Sequence, residues 1–316
     1  MRAVRNDETG IHVVERPEPE GDGVVVDVAS CGICGTDLGF LAMGPLPFTL
    51  GHEFAGMVGG TAYAIEPMTR CGTCAACREG NDNRCTDPSH VNFGIFTDGG
   101  LADRVLVADY CLTPLPDGLS VDDASLVETT AVAYRGIRMA TVQPGERVCV
   151  VGGGAIGLAA LGVAHHKGID IDLEARHQHQ RAVGERLGAG TAAANAQNAY
   201  DVVIDAAGSE SGLARAFELV RPGGRVVLLG VYHGLVPIPG VPMLVKEATM
   251  IPSMAYGVDA DGRREYANAA AVLAANPEIA RAVITHRFPL ADAAEAFRVA
   301  SDRASGSIKV VIHPNQ

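Results

Sequence analysis

Cys71, Cys74, Cys77 and Cys85 lie in one short polar segment with the spacing C-x2-C-x2-C-x7-C. Three thiols separated by two residues each can wrap one side of a tetrahedral ion, and a fourth after a short loop closes the site. Four thiolates leave no position for a substrate, so the zinc this spacing implies is structural. The competing use of the same residues is a set of disulfides or a redox pair. That use needs an oxidising compartment, and nothing else in the chain points to one. Cys111 and Cys149 stand in apolar, strand-like runs and read as buried bystanders.

A second set of donors is scattered: Cys34, His52, Glu53 and Glu128. A catalytic zinc needs about three protein ligands and one open position, and these are the residue types that supply them. Each alone has an ordinary explanation as a core thiol, a hydrogen-bonded imidazole or a surface carboxylate. Asp37 is placed to hold the ring of His52 through its other nitrogen, and its alternative role is a turn cap. Thr36 follows Cys34 by two residues, and its hydroxyl is the candidate for relaying a proton from the open position.

The third constellation is Gly152-Gly-Gly154-Ala155-Ile156-Gly157. It follows a short apolar run, 147–151, opens an Ala/Leu-rich helix to about residue 166, and is followed by a second strand over 169–175. In that context the motif is a dinucleotide fingerprint rather than a structural turn. Gly152 allows the tight turn, Gly154 lets backbone approach a pyrophosphate, and Gly157 permits close packing of helix on strand. The phosphates then face the free N–H groups of a helix N-terminus.

Taken together these motifs resemble one family, the zinc-containing medium-chain alcohol and polyol dehydrogenases of the medium-chain dehydrogenase/reductase superfamily. The resemblance rests on Cys31-Gly-Ile-Cys34-Gly-Thr36-Asp37, Gly51-His52-Glu53, the glycine motif and the cysteine segment, which run along much of the chain. It implies that Cys34 and His52 bind a catalytic zinc, that Cys31 is a bystander, and that each chain holds two zinc ions. The third ligand is divided within the family between the carboxylate beside the His and a residue at the position of Glu128. Both stay open here, with Glu128 ranked slightly lower as a direct ligand. Glu128 stands 24 residues before Gly152, the separation expected of polyol-type relatives, and favours polyol or sugar-type substrates over simple primary alcohols. The implied reaction is zinc-assisted ionisation of a substrate hydroxyl, proton relay through Thr36, and hydride transfer to a nicotinamide. A non-catalytic zinc- and nucleotide-binding relative is the rival from another class, and Cys34, Thr36, His52 and both glutamates speak against it. Zinc-free quinone or enoyl reductases lack the cysteine lobe and the Gly-His-Glu motif.

The resemblance also orders the two nicotinamide cofactors. An NAD site carries Asp or Glu at the end of its second strand, about 20 residues past the glycines. Counting back from Leu187-Gly-Ala189, that position falls on Ala175, with Arg176, His177, His179 and Arg181 beyond it. A missing carboxylate and a nearby Arg fork suit a 2′-phosphate, so NADP is favoured over NAD. Glu174, one residue earlier, is the counter-argument.

The elements that must position these residues change character along the chain. Val-rich runs at 23–29 and 102–108, punctuated by Gly and Pro, read as short strands. Asp122-Asp123 reads as a helix start. From about Gly145, strands alternate with helices through 200–205 and 224–230, which implies a parallel sheet with helices on both faces. The expected fold class is therefore α/β: a Rossmann-type doubly wound domain, 131–283, with a mainly β, GroES-like catalytic domain. The resemblance makes that catalytic domain discontinuous, 1–130 and 284–316, with a zinc lobe at about 66–88 and the tail helix 292–300 and strand 307–312 returning to it. The stretches 56–66 and 190–201 look trimmed relative to relatives. A chain of 316 residues with 47% hydrophobic content can build two such cores. Its net charge of -12 excludes nucleic acid and anionic membrane as expected partners. No apolar run spans a bilayer and the first ten residues are polar, so a cytoplasmic enzyme with a small-molecule alcohol or carbonyl substrate is expected. Relatives form homodimers or homotetramers, and the apolar stretch 226–238 is the expected strand-edge contact.

Overall fold

The computed structural model describes residues 1–232 and 234–315. The chain divides into two units: Met1–Glu128 with Gly257–Gln316, and Thr129–Tyr256.

The first unit is built on one mostly antiparallel sheet. Its strands run in the order Ile284–Pro289, Lys309–His313, Val24–Ile33, Glu53–Val58, Thr61–Ile65, Leu112–Pro114, with Arg104–Val107 paired to the first half of Val24–Ile33. Val24–Ile33 is the hub because β-branched residues fill it and alternate inward, with Val26 and Val28 fully buried. The side chains of Phe54, Ile65, Leu101, Phe297 and Ile312 close the core over it. Glu53–Val58 and Thr61–Ile65 form a tight hairpin turned by Gly59 and Gly60, which is how the trimmed stretch is closed. The strand Lys309–His313 pairs antiparallel with Val24–Ile33, so segments far apart along the chain share one sheet.

The second unit is a six-stranded, wholly parallel sheet. Its order is Gly190–Thr191, Ile171–Glu174, Val148–Val151, Tyr200–Asp205, Val220–Leu228, Thr249–Pro252. Numbered along the unit, this is the doubly wound order 3-2-1-4-5-6. The apolar strand Val148–Val151 is buried throughout because neighbours cover both its faces. The trimmed 190–201 region keeps a two-residue third strand. Among the described residues no helix is long and apolar enough to cross a membrane.

Two expectations need correction. The helices Glu265–Ala275 and Pro277–Val283 belong to the first unit, so the return from the dinucleotide-type unit falls at Gly257, not at 284. Tyr266 donates to the Ile65 carbonyl at 2.6 Å and Val258 N–H to the Gly80 carbonyl at 2.8 Å, which fixes this segment to the first core. A helical pattern reports an apolar face, not which core receives it. The helix expected to open at Asp122-Asp123 begins instead at Leu126, after a run of tight turns.

Candidate active site and metal sites

The ligand atoms of Cys71, Cys74, Cys77 and Cys85 all lie within 4.8 Å of one another. Cys71 Sγ is 3.9 Å from Cys77 Sγ and 3.6 Å from Cys85 Sγ. Zinc–sulfur bonds of about 2.3 Å at tetrahedral angles put the sulfurs about 3.8 Å apart, so the four thiols fit a zinc ion. All eight cysteines are free of disulfides. Backbone supplies the electrostatics. Thr73 and Cys74 N–H groups point at Cys71 Sγ from 3.4 and 3.3 Å and lower its pKa. N–H groups of Thr86 and Cys77 bring Cys74 down to about 6. Burial, with the neighbouring sulfurs, pushes Cys77 up to about 12. Arg264 ties the lobe down. Its guanidinium bonds both oxygens of buried Glu66 and, at 2.5 Å, Asp82.

The second donor set is assembled by strand register. Cys34 follows the hub strand and caps the short helix Gly35–Leu41. Gly32 pairs with Glu53 across the sheet, which brings the Gly51-His52-Glu53 segment alongside. The ligand atoms of Cys34, His52 and Glu53 consequently lie within 4.8 Å of one another. Asp37 lies against both Cys34 and His52. Its Oδ2 accepts from the Cys34 N–H at 2.8 Å, and its Oδ1 faces His52 Nδ1 at 3.4 Å. Those last two atoms are buried without a hydrogen-bond partner. Burial opposes charge on His52, but Asp37 and Cys34 outweigh it and raise its pKa well above the usual imidazole range. Glu128, third in the helix Leu126–Met139, is buried but stands outside the close group of three. Burial, reinforced by Glu53, pushes its carboxyl up to about 7. Thr36 is half-buried in the first turn after Cys34.

Sequence reasoning missed Lys309. It is only 4% exposed, and its Nζ donates to Glu53 Oε1 at 2.8 Å and Oε2 at 2.6 Å. The signal was a lone cation inside the apolar strand Lys309–His313, every residue of which is buried. Asp37, Glu53 and Glu128 are buried beside His52, and Glu53 is paired with buried Lys309. The sulfur, imidazole and carboxylate donors gathered there suit a zinc ion.

In the second unit, Gly152 has φ +113°, and a Cβ there would lie 2.8 Å from Ala207 N. A Cβ on Gly157 would collide with the Gly152 carbonyl. Gly154, by contrast, has nothing within 4 Å of where its Cβ would stand. The turn is therefore tightly packed behind and open in front, ahead of the helix Ala155–His166. The N–H groups of Ala155, Ile156 and Gly157 lie in its first turn, where no carbonyl four residues back can receive them. That fits a pyrophosphate. At the end of the second strand, Arg215 holds both oxygens of Glu174 at 2.8 and 2.9 Å. Ala175 is buried and Arg176 exposed. Arg181 donates to the carbonyls of Ala175 and Arg176, and the His177 and His179 rings stack 5.5 Å apart.

Residues 20–117 match the alcohol dehydrogenase GroES-like domain family. Residues 117–313, well over half of the chain, match the glucose dehydrogenase C-terminus family. The chain belongs to the zinc-containing medium-chain alcohol and polyol dehydrogenases. This dehydrogenase is 29% identical over 311 residues to L-galactonate-5-dehydrogenase of Escherichia coli K12, covering 90% of this chain and 89% of that one. It is 29% identical over 355 residues to D-xylulose reductase A of Aspergillus oryzae, covering 96% and 94%. A protein proposed to be a zinc-binding dehydrogenase, from Sinorhizobium meliloti 1021 and solved bound to NADP, superposes with TM-score 0.85 at 30% identity over 99% of both chains. The dehydrogenase family therefore accounts for both units and for both donor sets being on one chain.

Proposed function

We propose that this dehydrogenase moves a hydride between a polyol or sugar-type hydroxyl, or its carbonyl product, and NADP, with one catalytic and one structural zinc per chain. The observation that carries the reading is the convergence of Cys34, His52 and Glu53 donors within 4.8 Å in a buried, carboxylate-rich setting. Cys34 and His52 hold the catalytic metal, with Glu53 or Glu128 as the further carboxylate, and Cys71, Cys74, Cys77 and Cys85 hold the structural one. A zinc ion bound there acidifies a substrate hydroxyl and polarises a carbonyl. Asp37 fixes the ring of His52 through Nδ1, leaving Nε2 for the metal. Thr36 receives and passes on the hydroxyl proton.

Gly152, Gly154, Ala155, Ile156 and Gly157 receive the pyrophosphate, and the nicotinamide supplies the hydride chemistry. The NADP preference is supported by the ion pair that occupies Glu174, the residue that would otherwise have argued for NAD. Exposed Arg176 is the phosphate ligand, while His177 and Arg181 shape the turn that presents it. The polyol preference follows the named activities of the curated relatives. A simple primary alcohol is the second substrate class. We further propose a cytoplasmic homodimer or homotetramer. The stretch 226–238 is not itself the edge, since Val226 and Val227 are buried in the strand Val220–Leu228 inside the sheet; Thr249–Pro252 is one edge, and Val231, Leu235, Val241 and Leu244 nearby in sequence are exposed.

The test is a screen of polyols, sugar acids, sugars and simple alcohols with NADP and NAD, following absorbance of the reduced ring. Turnover confined to primary alcohols removes the polyol assignment. A preference for NAD of about tenfold or more, roughly 1.4 kcal/mol, removes the NADP assignment.

A further inference from the structure

His177 and His179 sit where the second strand of the parallel sheet hands over to its helix. A Cβ on Gly153 would lie 2.7 Å from the Cβ atoms of both Ala175 and Gln180, so this turn packs directly against the glycine turn that fits a pyrophosphate. His177 caps the helix Gln178–Arg186 without turning its side chain back onto the helix. Its ring lies nearly parallel to that of His179, 5.5 Å away with 20° between the planes. Both residues are half-buried, and exposed Arg176 precedes them. The N–H groups of Gln178, His179 and Gln180 lie in the first turn of the helix, where no helical carbonyl four residues back can receive them.

The acidic groups of the neighbouring elements are engaged elsewhere. On the strand Ile171–Glu174, Asp172 accepts from the Tyr200 hydroxyl at 2.7 Å and Glu174 is held by Arg215. The ionisable side chains of the helix Ala155–His166 are His165 and His166, at its far end. The strand Gly190–Thr191 carries none. On the histidines' own helix, Glu185 stands toward the opposite end, while Arg181 bonds the carbonyls of Ala175 and Arg176 beside them. Charging both rings of such a stack next to two arginines is opposed by like-charge repulsion, and a dianion placed there removes the opposition.

We propose that His177 and His179 are specificity-determining residues that read the cofactor's 2′-phosphate through a proton: its binding draws a proton from solvent onto the stacked pair, so NADP, and not NAD, is held more tightly as pH falls. This rests on the NADP reading above. Imidazole is the side chain that changes charge in the physiological range. A phosphate monoester is mostly dianionic at pH 7, so contact with cations can only strip its own remaining protons. Uptake and release therefore separate the histidines from the phosphate.

Calorimetric titration of the zinc-loaded enzyme at pH 7, in Mops and in Tris, measures the protons exchanged through the difference in buffer ionisation heat. NADP should take up about half a proton per site and bind about fivefold more tightly at pH 6.5 than at 8.5, as for one proton held about ten times more firmly in the complex. NAD should show neither effect. In His177→Gln/His179→Gln the uptake should vanish and the NADP affinity should lose its pH dependence. Histidine C2–H resonances give the same reading without a variant: two should titrate at higher pH with NADP bound, and not with NAD. Proton release or no exchange with NADP overturns the proposal, as does equal uptake with NAD or uptake that survives in the double variant. If wild type binds NADP no more tightly than NAD, the NADP reading itself fails and takes this inference with it.

Discussion

The cysteine lobe and the Cys34–His52 cluster answer the same chemical need by opposite constructions. The lobe takes its four donors from positions 71–85, all of them partly exposed. Its thiolates are supported mainly by backbone N–H groups of the same loop. The cluster draws on positions 34, 37, 52, 53, 128 and 309, nearly all buried, and its electrostatics come from side-chain ions. A loop can be organised by its metal with little help. A buried charge cluster must be organised by the sheet first, because each unpaired ion in it is expensive. The lobe should therefore govern how firmly the unit folds, and the cluster whether it reacts.

The sharpest way to break that division is His52→Ala. Turnover should fall by at least about a thousandfold, the loss of the several kcal/mol that a bound metal supplies. Zinc content should drop by one ion per chain while NADP binding persists. Wild-type turnover in this variant would remove the cluster from catalysis. Cys74→Ser should do the converse, lowering the melting temperature by roughly 5–10 °C, the scale of about 3 kcal/mol in a unit of this size. If melting and zinc content both stay at wild-type values, the lobe is not a structural zinc site.

A smaller effect tests whether the lobe is as self-contained as its spacing suggests. Arg264→Met removes the bidentate partner of buried Glu66 and leaves it only the longer contact with Arg70, and we expect a loss of about 2 kcal/mol, reduced from the figure for fully buried pairs because Arg264 keeps some exposure. Burial already raises the Glu66 pKa with Arg264 in place. A carboxyl whose folded pKa is raised favours folding at acid pH and loses that advantage as pH rises, so the deficit of Arg264→Met should shrink on acidification. A deficit that grows instead, read by urea unfolding at pH 5 and 7, contradicts this account. Smallest is Arg176→Ala, which should weaken NADP alone, by about tenfold or 1.4 kcal/mol. An equal loss for NAD would show that Arg176 does not read the 2′-phosphate.

What could be seen in the sequence follows the same local–remote line. The cysteine spacing, the glycine turn between Val151 and Ala155, and the strand Tyr200–Asp205 are local patterns, and the structure has these elements where the pattern puts them. The proximity of Cys34 to His52 came from resemblance, because only strand pairing across the hub brings them together. Lys309, Arg215 and Arg264 were not legible. Each is a cation whose partner lies far along the chain, and periodicity carries no information about pairing. The boundary at 257 escaped for the same reason: Tyr266 and Arg264 choose their core by contacts with Ile65 and Glu66, not by pattern.

The pairing of Lys309–His313 with Val24–Ile33 sets a timetable for synthesis. On the ribosome, residues 71–85 emerge more than two hundred positions before residue 309. A zinc bound by those four thiols during synthesis would be held while the cation that pairs with Glu53 is still unmade. We predict that a chain halted before residue 309 retains one tightly held zinc. Two retained ions would show that the centre does not wait for its final strand.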